Sequence, residues 1–175
     1  MKQVSVTIKG LSPLLMHAYP MVPIEALEKK SPEEQAELAV YRDSANGQDL
    51  YIPGVAIQRA LVAAASFSKG KGRATLQKQV AACVLVSPER VSLGVKNYLI
   101  DARPVVIPAT RGRVIRYRPR LDQWQAVFTV DFDVNLLTEK QLRGVVDDMC
   151  SRVGLLDFRP EKKGPFGRSM VVAWK

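Results

Sequence analysis

Five arginines fall within a single ten-residue stretch, Arg111, Arg113, Arg116, Arg118 and Arg120, with Tyr117 among them. A guanidinium offers a planar fork of donors that matches two phosphate oxygens, and an aromatic ring can stack on a nucleobase. The set therefore has the chemistry to follow a phosphate backbone. Read with the period of a strand, Val114, Arg116, Arg118 and Arg120 share one face, and Ile115, Tyr117 and Leu121 the other. Steps of about 6.6–6.8 Å between those arginines are near the phosphate spacing of an extended single strand. The plain alternative is an exposed basic hairpin that only blunts edge pairing. A second group, Arg159, Lys162, Lys163 and Arg168, frames Gly164 and Gly167. Backbone amides in such a loop can cradle phosphate; a solvated turn is the equal alternative. A third, Lys69, Lys71 and Arg73 alternating with Gly70 and Gly72, reads as a mobile basic loop that either clamps a strand or stays disordered.

His17 is the only histidine, and so the one side chain whose ordinary pKa lies near neutrality. It leaves no material for a zinc site. Cys83 and Cys150 lie far apart in apolar helical patterns and read as buried free thiols. No GxxxxGK[ST], no GxGxxG after a strand and no serine nucleophile turn is present. Asp131 and Asp133 share a strand face and Asp147-Asp148 a helix, with no sign that they converge for two-metal catalysis. No metal or cofactor is expected.

These residues sit in a chain of 175 residues with 47% hydrophobic positions, enough for one sizeable core. Its net charge of +9 makes a polyanionic partner the first hypothesis. The surplus is local: between Lys69 and Arg120 twelve basic residues face only Glu89 and Asp101. The apolar stretches are too short for a membrane helix, and the N-terminal residues lack the order of a signal peptide. The expectation is a cytoplasmic protein with no membrane partner.

Residues 2–9 alternate strictly and predict a half-buried opening strand. Leu11–Pro23 reads as a packed loop around Leu14-Leu15-Met16. Ser31, Pro32 and Glu34 predict a capped helix to about Arg42. Asn46-Gly47 predicts a turn, Leu50–Ile52 a strand, and Pro53-Gly54 a break before a second helix through Ala65. Ala74–Val84 reads as helix running into Leu85-Val86, and Arg90–Gly94 as a short strand. Tyr98–Ile107 has strand-like order interrupted at Pro104 and closed at Pro108. Trp124–Asp133 alternates and is taken as the partner of Arg111–Arg120, giving a basic hairpin over 103–132. Thr138 caps a last helix that Gly154 ends, and Ser169–Trp174 closes the chain as a strand. One domain over 1–175 is the natural count, with residues 24–87 as a helical elaboration. The order predicts an α+β fold, a ferredoxin-like (RRM-like) antiparallel sheet with helices on one face and the other left available to RNA.

Leu50-Tyr51-Ile52-Pro53-Gly54-Val55-Ala56-Ile57-Gln58-Arg59-Ala60-Leu61 resembles the aromatic-Ile-Pro-Gly-x-x-Ile-x-x-Ala-Leu signature of the RAMP superfamily, the ferredoxin-like RNA-binding subunits of CRISPR effector complexes. Ile8–His17 resembles the first strand and Ser/Thr-Pro-Leu loop of that group. Gly154–Glu161 with Gly164–Arg168 is similar to its glycine-rich segment before the last strand, and to small phage-encoded relatives. The resemblance touches about a third of the chain. It implies a non-catalytic protein that binds RNA or single-stranded DNA, in a homo-oligomer or a CRISPR-like complex. The chain is short for a CRISPR backbone subunit, which points to a pared-down relative. RAMP endoribonucleases often carry a catalytic histidine after the first strand, so a metal-independent ribonuclease using His17, with a lysine or a tyrosine such as Tyr19 close by, is the alternative. A histidine packed beside Leu14–Met16 is the plain reading of that residue. A phage-encoded interaction protein that docks on a CRISPR complex is the third expectation.

Overall fold

A computed structural model describes every residue except Asn46 and Pro108, so the first residue of the Asn46-Gly47 turn and the closing proline of the 98–107 stretch lie outside the described residues. In chain order the elements are β1 (Lys2–Gly10), β2 (Leu14–Leu15), α1 (Ile24–Glu28), α2 (Pro32–Leu38), β3 (Arg42–Asp43), β4 (Asp49–Pro53), α3 (Gly54–Ala64), α4 (Gln77–Cys83), β5 (Val84–Ser87) and β6 (Arg90–Ser92). There follow β7 (Leu99–Val106), β8 (Arg113–Leu121), β9 (Gln125–Phe132), α5 (Glu139–Asp148) and β10 (Ser169–Trp174). The protein is α+β, and every strand pairing is antiparallel.

The main sheet has the order β10-β1-β9-β5. The alternation of β1 buries Val4, Val6 and Ile8, and that of β9 buries Ala126, Phe128, Val130 and Phe132. Both apolar rows share one face because a strand repeats every two residues. Across that face lie α3, which buries Ile57, Ala60, Leu61 and Ala64, and α5, which buries Leu142, Val145 and Val146. Spacings of three and four put each set on one helical stripe, and the alanines of α3 let it approach closely. Both predicted capping boxes are present, Ser31 with Glu34 and Thr138 with Gln141. The first helical region stops at Leu38 instead of reaching Arg42, because Arg42 and Asp43 turn outward to pair with Leu50 and Asp49. Within residues 24–87, α3 and β5 are part of the main two-layer core and α4 adds Val80 and Cys83 to it, whereas α1, α2 and β3 contribute nothing to that cluster.

The basic hairpin over 103–132 is corrected. Strand β8 pairs with β7, from Leu99 opposite Arg120 to Val106 opposite Arg113, and on its other side with β2. Strand β9 pairs with β1 and β5 in the main sheet. The apolar alternation of β9 belongs in the core, and in the main sheet its buried row lies beside that of β1, Val4 opposite Val130 and Val6 opposite Phe128. The 99–121 hairpin runs straight through Pro104, which sits on the edge strand, where a missing N–H breaks no ladder. Among the described residues no helix is long and apolar enough to cross a membrane.

Candidate functional site

A cleft of about 410 Å³ opens beside the first turns of α3. Pro53, Val55, Ala56, Arg59 and Ala60 form one wall, residues of the 154–161 loop another, and His17 and Tyr41 close it. The 154–161 loop owes its shape to Gly164 and Gly167. A Cβ on Gly164 would collide with the Phe158 carbonyl, and Gly167 holds a φ of +72° while passing against Leu155. The loop is tied down by Leu155 N–H donating to Gly167 O at 3.0 Å and Asp157 N–H donating to Leu15 O at 3.0 Å. So anchored, it keeps Leu156 (φ 60°) and Phe158 (φ 48°) in the left-handed region that bulky residues rarely occupy. Strain of this kind gathers where a side chain must be aimed, and here it flanks Asp157.

Asp157 organises the polar side of the cleft. Its carboxylate is hydrogen-bonded by the guanidinium of Arg118, and His17 Nδ1 lies 3.6 Å from the same oxygen. Burial alone would push this carboxyl up, but the His17 ring and the Arg118 charge outweigh it and hold it below the usual carboxylate range. Burial also raises the Tyr41 phenol, so Tyr41 stays a neutral hydroxyl at the cleft. Arg159 clasps Glu161 through Nε and Nη2, at 3.0 and 2.6 Å, and donates Nη1 to the Leu156 carbonyl at 2.8 Å. Arg59 is exposed and enters no ion pair among the described residues, so it is the free cation of the wall. Tyr19, by contrast, is 78% exposed and does not line the cleft.

The arginine row does not form an exposed phosphate track. Arg116, Arg118 and Arg120 do share a face of β8, but that face turns inward. Arg118 is 6% exposed and committed to Asp157. Arg116 lies 3.8 Å from Glu28 with little exposed surface. Arg120 donates to Asp122 at 2.6 Å, lies 3.7 Å from Asp101, and covers the Phe166 ring at 5.8 Å. Arg103 joins them, donating to Asp101 at 2.6 Å and stacking 4.6 Å from the centre of Phe166. Arg103, Arg118 and Arg120 fasten the hairpin to the glycine-rich loop, and Arg116 faces α1. Tyr117 is half-buried on the opposite face, whereas Arg111 and Arg113 are exposed at the hairpin tip.

No protein-family model and no curated protein matches the sequence.

The remaining cations divide by position. Lys162 and Lys163 are exposed just beyond Glu161 at the cleft edge, and Arg168 is exposed where the loop rejoins β10. Lys69, Lys71 and Arg73 are exposed beyond the C-terminal end of α3, whereas the cleft lies along its first turns. Their loop is pinched by Gly70 N–H donating to Ala74 O at 2.8 Å. The open face of the main sheet carries Ser5, Thr7, Lys9, Gln125, Val127, Thr129 and Asp131, with no aromatic ring on which a base would stack. Both cysteines are free and buried, and burial pushes the Cys150 thiol up to about 11. Sequence reasoning did not single out Tyr41 or Arg59. Arg59 lay within the Leu50–Leu61 segment, but an isolated charge on a helix carries no signal of what it faces; nothing in the sequence marks Tyr41.

Proposed function

We propose that this chain is a RAMP-like protein that binds RNA or single-stranded DNA, and that the strand enters the cleft beside α3. One observation carries this reading: the three separate segments that resemble the RAMP superfamily each contribute a wall of the same cleft. His17 comes from the first, Pro53 to Ala60 from the second, and Gly154 to Glu161 from the third. The segments lie some forty and one hundred residues apart in the chain, and backbone hydrogen bonds such as Asp157 N–H to Leu15 O and Gly167 N–H to Pro13 O hold the first and third together around the cavity. The ferredoxin-like reading is supported by the order β10-β1-β9-β5, joined in the sequence β1-α3-β5-β9-α5-β10. The exposed cations Arg59, Lys162, Lys163, Arg168, Arg111 and Arg113 supply the attraction for phosphate in place of the buried arginine row.

The second reading is a metal-independent ribonuclease, favoured by the placement of His17 beside Asp157 with Tyr41 in the same cleft. Both are tested on one set of complexes. Fluorescence anisotropy with a labelled single-stranded 15-mer should give binding that weakens roughly 20- to 100-fold between 50 and 200 mM salt, as three to five phosphates shed counterions. Absence of binding at 50 mM salt rejects the first reading. Cleavage of the same RNA without metal, lost in His17→Ala, selects the second.

A further inference from the structure

The cleft mixes charges in a way that a track for phosphates alone would not. Arg59 stands free on one wall, while two carboxylates, Asp157 and Glu161, stand on the other. Asp157 faces the buried Arg118 guanidinium and lies 3.6 Å from His17, both at Oδ2, so its charge is committed to the protein. Glu161 is the more exposed of the two and its partner Arg159 is less buried than Arg118: both Arg159 contacts go to Oε2, which fixes the carboxylate while Oε1 makes no hydrogen bond among the described residues. A fixed carboxylate beside a polyanion is repulsive unless it accepts a hydrogen bond, and the donors a nucleotide strand brings at sugar level are ribose hydroxyls. Between these charges the lining is apolar, with Val55 and Ala56 from the helix wall and Leu156 from the loop. A volume of about 410 Å³ lies near the lower end of the roughly 300–1,000 Å³ typical of small-ligand sites, room for one nucleotide and not a run of them.

We propose that the cleft holds a single ribonucleotide unit, with its phosphate on Arg59 and His17 and its 2′-hydroxyl on Glu161, so that the protein selects RNA over DNA at this one position. This rests on the proposed binding function and adds the sugar to it. The base is met by apolar side chains and is not read.

The test compares UMP with dUMP, which differ only in the 2′-hydroxyl, by amide chemical-shift titration. UMP should bind about tenfold more tightly, as a hydrogen bond to a charged acceptor implies, and should shift resonances of residues 55–60 and 154–161. Glu161→Ala should bring the two ligands to equal affinity, Glu161→Gln, which keeps an acceptor, should retain part of the preference, and Arg59→Glu should weaken both at least tenfold. Unchanged amide spectra outside the cleft would show that the variants remain folded. Equal affinity for UMP and dUMP in the wild-type protein overturns the proposal, as does a preference that survives Glu161→Ala. If the 15-mer binds at low salt while neither mononucleotide does, the single-unit cleft is wrong and the binding function stands. If nothing binds at all, both fail.

Discussion

Asp157 Oδ2 accepts from a nearly inaccessible guanidinium and lies 3.6 Å from the only imidazole in the chain. Removing a partner from such a pair leaves the other charge buried and uncompensated, which typically costs about 3–5 kcal/mol. Asp157→Asn should therefore destabilise the protein by about 3 kcal/mol at pH 7, a drop in Tm of roughly 6–12 °C. The pH dependence has a definite sign. The folded carboxyl titrates below its unfolded value near 4, so its contribution is present above about pH 4 and is lost as pH falls through the folded value. Urea unfolding at a series of pH values should show wild type and Asp157→Asn converging as pH drops below 4. A gap that stays constant into acid would mean that the carboxylate is not what Arg118 needs.

The glycine-rich loop and the 99–121 hairpin act together. The loop presents Asp157 and Glu161 to the cleft, and Arg103 and Arg120 of the hairpin press on Phe166 beneath it. Gly164→Ala drives a methyl group into the Phe158 carbonyl, so either the loop shifts or the carbonyl does. The expected result is a lower Tm together with loss of oligonucleotide binding, read by thermal melting and anisotropy on the same sample. Native stability with full binding would show that the loop geometry does not matter. Much of this element was legible beforehand: the glycines and flanking basic residues marked a special turn, and period-two alternation marked β8 as a strand. The direction of its arginine face was not. Alternation says that side chains share a face, but the carboxylates that claim this one, Glu28, Asp101, Asp122 and Asp157, are scattered from the first helix to the last loop. The same limit hid the partner of β9, because a regular apolar strand fits any sheet that offers a buried face, and the adjacent strand was simply the nearest in sequence.

At the scale of the whole molecule, the net charge of +9 has a different meaning from the one its clustering suggested. Part of the surplus between Lys69 and Arg120 is spent internally on ion pairs that fasten one sheet to the rest. Of the cations first considered for phosphate, those left exposed lie in three places: the cleft rim and the end of its loop, the hairpin tip, and the loop beyond α3. The opening strand, the closing strand, both capping boxes and the strand-to-helix break at Pro53-Gly54 were readable because each depends on local spacing. The cleft was not, since it exists only where His17, α3 and the 154–161 loop meet. Photo-cross-linking places a bound strand most directly. A single-stranded RNA carrying 4-thiouridine, irradiated with the protein and mapped by peptide mass spectrometry, should mark residues 53–60 and 154–163. Cross-links confined to the hairpin tip at 109–113 or to the open face of β1 and β9, with none in the cleft, would contradict this assignment.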